Sequence, residues 1–172
     1  ICHEGDLHIS GTKEFVDEFK KMYLGIKLQQ NKISIIINKP VSEVFEFTIN
    51  PKNTHSWITT IVREETNEPA IRVGTEYKNV NKKGKLTEYE VVKFQRNRLF
   101  EMKQMNSSYH VQYIYEAISS TKTRLIYFEW VDDGELNKPF TIAVLEKLKK
   151  VMEICKHCEK KLFEGYCLDC ED

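Results

Sequence analysis

The stretch Lys32-Ile33-Ser34-Ile35-Ile36-Ile37-Asn38-Lys39-Pro40-Val41-Ser42-Glu43-Val44-Phe45 decides how this chain is read. Its first half is crowded with β-branched side chains, which suit a pleated, half-buried strand. Pro40 ends that strand, because it has no N–H for a ladder. Ser42 can then open a short helix, with Val41, Val44, Phe45 and Thr48 on one side. Asn50-Pro51 restarts the chain, Asn as a cap and Pro as a first helical residue. A second short helix follows and reaches His55 and Trp57.

Beyond this opening, about Thr59 to Val131 reads as antiparallel strands. Turn signals recur at short spacing: Asn67-Glu68-Pro69, Asn81-Lys82-Lys83-Gly84, Gln95-Arg96-Asn97, Asn106-Ser107-Ser108 and Ser119-Ser120-Thr121. In Tyr109–Ala117 the odd positions Tyr109, Val111, Tyr113, Tyr115 and Ala117 are mainly apolar or aromatic, while the even ones include His110, Gln112 and Glu116. A sheet with one dry and one wetter face is expected. A long last helix is expected to start at Asn137 and Pro139, with Phe140, Val144, Leu145, Leu148, Val151 and Met152 as a wide apolar stripe. At the other end, Lys13–Leu24 reads as a helix capped by Thr12 and ended by Gly25. Its stripe of Phe15, Val16, Phe19, Met22, Tyr23 and Ile26 must be buried on the body of the domain, or else on a partner or second subunit.

Composition bounds the function. The 172 residues are 41% hydrophobic and 30% charged, as in a globular domain with short attachments. Lys plus Arg and Asp plus Glu both number 26, so the chain is a poor polyanion binder, and no nucleic-acid partner is expected. The longest apolar candidate, Ile33–Ile37, is broken by Ser34 and far too short to span a membrane. The polar, acidic start at Ile1 does not read as a secretory signal. The missing initiator Met leaves a fragment, a processed product or a trimmed chain as readings. The basic turn Lys82-Lys83-Gly84-Lys85 reads as a solubilising hairpin tip.

Strand, two short helices, about six antiparallel strands and a long C-terminal helix is an order that resembles the START-like superfamily, the group of polyketide cyclases, lipid-transport proteins and birch-pollen allergens. The residues that carry the resemblance are Ile33–Phe45 with its Pro and Val-Phe pair, Asn50-Pro51 with Trp57, and Val73-Gly74-Thr75. It covers about 32–154. It implies an α+β helix-grip fold, a curved antiparallel sheet wrapped around the last helix with a cavity between them. The organisation expected is therefore a leader and amphipathic helix over 1–30, a START-like domain over 31–154 and a cysteine-rich knuckle over 155–172. The implied guest is a hydrophobic or amphipathic small molecule. Candidates for the wall are Trp57, Tyr77, Tyr89, Phe100, Met102, Tyr113, Tyr115, Phe128 and Trp130, the tyrosines adding hydroxyls to an apolar surface. Simple core filling is the rival reading for each, and a one-residue register error would swap faces.

The sharpest motif is Cys155-Lys156-His157-Cys158, eight residues, then Cys167-Leu168-Asp169-Cys170. Each Cys-x-x-Cys pair puts two thiolates on one turn, and four thiolates closing on one ion suit a structural zinc with no open position for substrate. With Gly165-Tyr166 before the second pair, the segment looks like a zinc-ribbon knuckle. Iron in a rubredoxin-like site is the main rival and a pair of disulfides the third. The fifth cysteine, Cys2, stands alone; Cys2, His3 and His8 could make only a partial second set. Clustered rather than scattered cysteines suit a reducing, cytoplasmic setting. An 18-residue knuckle cannot bury a core, so metal must supply its folding free energy. Three Lys against five acidic residues from Cys155 onward argue against nucleic acid there too.

Catalytic motifs are missing: no Gly-x-Ser-x-Gly, P-loop, dinucleotide glycine fingerprint or His-Glu-x-x-His occurs. His55 and His110 read as surface or cavity-edge residues, while Glu88, Glu90, Glu101 and Glu129 could meet inside a cavity, where burial would raise their pKa. The favoured expectation is a non-enzymatic binder or carrier. A cyclase or aromatase on a polyketide-like substrate is the alternative. A third is a protein-contact module resembling the heat-shock-protein ATPase activators, docking through the knuckle or the first helix.

Overall fold

A computed structural model describes residues 29–154. The amphipathic helix expected over 13–24 and the four C-terminal cysteines lie outside the described residues. Within them, strand β1 (Gln30–Ile37) is followed by helix α1 (Val41–Ile49) and the single turn α2 (Thr54–Trp57). Six strands come next: β2 (Ile61–Thr66), β3 (Glu76–Asn81), β4 (Leu86–Gln95), β5 (Leu99–Gln104), β6 (Tyr109–Ser119) and β7 (Lys122–Val131). Helix α3 (Ile142–Met152) closes the described chain. No helix among the described residues is long and apolar enough to cross a membrane.

All seven strands form one curled antiparallel sheet in the order β1-β7-β6-β5-β4-β3-β2. From β2 to β7 it is a plain meander, and each expected turn falls between two strands. β1 returns to pair with β7, with Ile33 opposite Tyr127 and Ile37 opposite Thr123. The helices α1 and α2 therefore carry the chain from one sheet edge to the other. Register irregularities at Ile61/Arg63, Val91/Lys93 and Ala117/Ser119 sharpen the curl, since a bulged strand bends and twists more. Gly74, at φ +89°, adopts the left-handed conformation that lets the chain turn into β3; its N–H bonds the Val91 carbonyl.

Alternation sets the core. The concave face of β6 carries buried Val111, Tyr113 and Tyr115, as the odd-position pattern predicts. Helix α1 presents Val44, Phe45, Thr48 and Ile49 to it. Phe45 meets Phe94 and Tyr115 edge to face, at 5.5 and 5.0 Å between ring centres. Thr48 Oγ1 donates to the Val44 carbonyl and lies 2.7 Å from the Tyr115 hydroxyl. Ser42 does not open α1: the helix starts one residue earlier, and the Pro40 carbonyl accepts from the N–H groups of Glu43 and Val44.

Helix α3 buries Leu145, Leu148 and Met152 and lies against β1 and α2. It begins at Ile142, not at Asn137 or Pro139 as expected. Phe140 is held out of the helix by its own backbone bonds. Its N–H donates to Glu129 Oε1 at 2.6 Å and its carbonyl accepts from Asn31 Nδ2 at 2.8 Å. Thr141 then stays extended at the cap position. At the far end Glu153 accepts from the Asn38 N–H at 2.7 Å and pairs with Lys149 at 2.9 Å, fastening the helix to the end of β1.

Candidate functional site

Between the concave face and α2 lies a cavity of about 230 Å3. Strands β3 to β7 supply most of its wall: Tyr77 and Asn79, Thr87 and Tyr89, Phe100 and Met102, Tyr109, Val111 and Tyr113, and Tyr127. Thr54 and Trp57 of α2 and Glu64 of β2 face them, with Phe140 at the end nearest α3. The mouth is marked by exposed Thr60 and half-buried Ile61, Asn81 and Thr87.

The rings brace one another. Tyr113 makes edge contacts with Trp57 at 6.4 Å and Tyr127 at 5.2 Å, and Tyr127 stacks on Phe140 at 4.8 Å. Most tyrosine hydroxyls are already committed to protein acceptors. Tyr77 donates to the Ile49 carbonyl at 2.6 Å. Tyr109 and Tyr127 donate to Glu129 Oε2 at 2.7 and 3.2 Å. Burial drives the phenols of Tyr77, Tyr109, Tyr113 and Tyr127 well above their ordinary pKa and that of Tyr89 to about 12, so all five stay neutral. The Trp57 indole N–H is buried without a hydrogen-bond partner among the described residues.

Glu64 is the ionisable group that stands out. Desolvation pushes its pKa from 4.5 to about 7, against the opposing hydrogen bonds of Thr54 and Asn79. Thr54 Oγ1 donates to Glu64 Oε2. Asn79 also serves the Tyr89 hydroxyl, so Glu64, Asn79 and Tyr89 form a polar line across the wall. Among the described residues no lysine, arginine or histidine lines the cavity.

Of the nine residues expected in the wall, the structure brings together Trp57, Tyr77, Tyr89, Phe100, Met102 and Tyr113. Tyr115 is buried under α1, outside the cavity. Phe128 and Trp130 stand on the convex face, because β7 turns Thr123, Leu125, Tyr127 and Glu129 inward. There they stack on each other at 4.9 Å, and Trp130 stacks on His110 at 4.8 Å.

The four glutamates do not meet inside. Glu88 and Glu90 share the outer face, Glu88 paired with Lys78 at 2.9 Å. Glu101 is buried on that face too, bonded to Lys93 at 2.8 Å and Gln112 at 2.6 Å. Glu129 does face inward, but Asn31, Phe140, Tyr109 and Tyr127 all donate to it. His55 is exposed, and His110 lies outside between Glu101 and Asp132.

Sequence reasoning missed Glu64, Thr54, Asn79, Tyr109 and Tyr127. Glu64 sits in Arg63-Glu64-Glu65, which reads as solvated surface. The bulge after Ile61 brings positions 61 and 64 to one face, which simple alternation cannot do. Tyr109 and Tyr127 were reachable from the odd-position pattern of their strands.

No family model matches the chain, and no curated protein matches it in sequence. Solved structures do match its fold. A conserved protein of unknown function from Enterococcus faecalis, EF2215, aligns with 90% of this chain and 91% of its own at TM-score 0.58 and 12% identity. Protein MLL2253 from Mesorhizobium loti aligns with 72% of this chain and 96% of its own, at TM-score 0.58 and 13% identity. The Aha1 dimer structure from Colwellia psychrerythraea aligns with 74% of this chain and 98% of its own, at TM-score 0.54 and 13% identity. At such identities the likeness is one of fold. The curled antiparallel sheet with its C-terminal helix fits the helix-grip fold expected from the sequence.

Proposed function

We propose that this chain binds a small amphipathic molecule in the cavity under its sheet, as a carrier or binding module. The observation that carries this reading is the cavity itself: about 230 Å3 lined by aromatic rings, with a few polar groups collected on one side. Ligand sites are typically apolar hollows with a small number of placed polar groups, and drug-sized guests occupy about 300–1,000 Å3. This hollow therefore suits a guest below that size. Its ionisable wall groups are one carboxyl and a set of neutral phenols, a set better fitted to holding a molecule than to passing protons between two titrating side chains.

The two tryptophans make the test internal. Trp57 is in the wall and Trp130 on the outer face, so their indole N–H resonances report two different surfaces. A titration with neutral 2-phenylethanol is expected to shift the Trp57 signal saturably and leave that of Trp130 in place. A shift confined to Trp130, or none at either, overturns the reading.

We also propose that Cys155, Cys158, Cys167 and Cys170 hold one structural zinc ion in a reducing, cytoplasmic setting. The support is their spacing.

A further inference from the structure

The cavity has a sign. Glu64 is its one acidic wall residue, and its remaining titratable wall groups are tyrosines. An anionic guest would find few donors: the hydroxyls of Tyr77, Tyr109 and Tyr127 are already given to the Ile49 carbonyl and the Glu129 carboxyl, which leaves neutral donors such as the Trp57 indole N–H and, among the described residues, no cationic side chain to meet it. Glu129, a second carboxyl group, is bonded to the hydroxyls of two of those tyrosines. A cationic guest meets the opposite conditions. Glu64 accepts from Thr54 at Oε2 and from Asn79, both neutral donors, and among the described residues no cationic side chain lines the cavity to balance its charge. Trp57, Tyr89 and Tyr113 offer aromatic surface nearby, and ring faces attract ammonium groups.

Resting on the binding reading above, we propose that the guest is a small arylalkyl- or alkylamine bound as its ammonium ion, with Glu64 as the counter-charge and the aromatic wall around its apolar part. Carboxylate-, sulfate- and phosphate-bearing molecules are disfavoured by the same carboxyl group. Charge-assisted bonds of this kind are about twice as strong as neutral ones, and stronger away from bulk water. Burial raises the pKa of Glu64 to about 7, so its carboxyl titrates around neutral pH. An ammonium guest then favours the ionised form, so amine affinity rises as the pH goes from 6 to 8. The groups facing Glu64 do not confuse this titration. Tyr77 of β3, Tyr89 of β4 and Tyr113 of β6 stay neutral, α2 contributes Thr54 and Trp57, and Arg63 and Glu65 on its own strand are exposed.

The test uses three probes of matched shape on the full chain: 2-phenylethylamine, neutral 2-phenylethanol and anionic 3-phenylpropionate, followed by the Trp57 indole signal. The amine is expected to bind at least about ten-fold more tightly than the acid, the size of one hydrogen bond to a charged group. Glu64→Gln should weaken the amine by about ten-fold and change the alcohol by much less, since only the amine loses a counter-charge. If the alcohol binds but the acid equals the amine, or Glu64→Gln leaves the amine unaffected, the charge assignment is overturned while the cavity reading stands. If no probe moves Trp57, both fall. Should the variant fold poorly, the wild-type pH series decides instead: amine affinity rising between pH 6 and 8 beside a flat alcohol supports the assignment, and parallel curves refute it.

Discussion

Replacing Glu64 by Gln should make the protein more stable at pH 8 than the wild type, and nearly equal to it at pH 4.5. Glu64 has its pKa raised from 4.5 to about 7 because burial penalises its charge. A raised carboxyl pKa means that between these values the folded state holds more protons than the unfolded one. Stability therefore falls as pH rises from about 4.5 to 7 and is flat beyond it. At ~1.4 kcal/mol per pKa unit the upper limit is about 3 kcal/mol. Glu64 is only partly buried, and solvent screening reduces this to roughly 1–2 kcal/mol. Gln keeps the oxygen that accepts from Thr54 and removes the charge. The assay is urea unfolding of both proteins at pH 4.5, 6 and 8, read by circular dichroism. A gain at pH 8 that vanishes at pH 4.5 is expected. The same difference at every pH would refute a desolvated carboxyl at position 64.

Glu129→Ala should cost about 3–5 kcal/mol in urea unfolding, since it removes the buried carboxylate that accepts from Asn31, Phe140, Tyr109 and Tyr127; a loss below 1 kcal/mol would contradict the network. Phe45→Ala should cost about 3–5 kcal/mol by the same measurement, because the ring is fully buried between α1 and the sheet. Tyr77→Phe strands the Ile49 carbonyl and should cost about 1–2 kcal/mol. Native mass spectrometry should find one zinc per full-length chain, lost on chelation; metal-free protein whose four C-terminal cysteines alkylate freely would defeat that assignment.

The meander was legible because its punctuation is local. Asn, Gly and Ser clusters at 67–69, 81–84, 95–97, 106–108 and 119–121 mark turns whatever the sheet does overall, and all five join neighbouring strands. Faces were legible on β6, where five alternate residues share one character. They were not on β7, whose Tyr127-Phe128-Glu129-Trp130 puts large rings on both sides and a carboxyl on the inner one. Only the pairing of Glu129 with Asn31, 98 residues away, resolves that parity. The same long-range contact explains the late start of α3, since Phe140 follows Pro139 in a sequence that otherwise invites a helix. Glu64 was hidden for a different reason. An irregular step in a strand changes which residues share a face, and nothing in Ile61-Val62-Arg63-Glu64 announces the step.

Why the interior stays open follows from the same bonds that orient its wall. At the ~24 cal/mol per Å3 found for engineered cavities, a dry hollow of about 230 Å3 would cost on the order of 5 kcal/mol, comparable with a whole domain's stability. Collapse would relieve that cost, but Tyr77 is tied to α1, Tyr115 to Thr48, and Tyr109 and Tyr127 to Glu129. Closing the space would break bonds whose groups have no water to turn to. The polar side of the wall, Glu64 with Thr54 and Asn79, instead suits water, which makes about three hydrogen bonds when buried. A guest that displaces such water must replace its bonds to the Glu64 carboxyl or lose affinity. An ammonium group does so with charge in its favour, whereas a hydrocarbon does not. The rigidity of the tyrosine frame and the proposed preference for an ammonium guest thus follow from one arrangement.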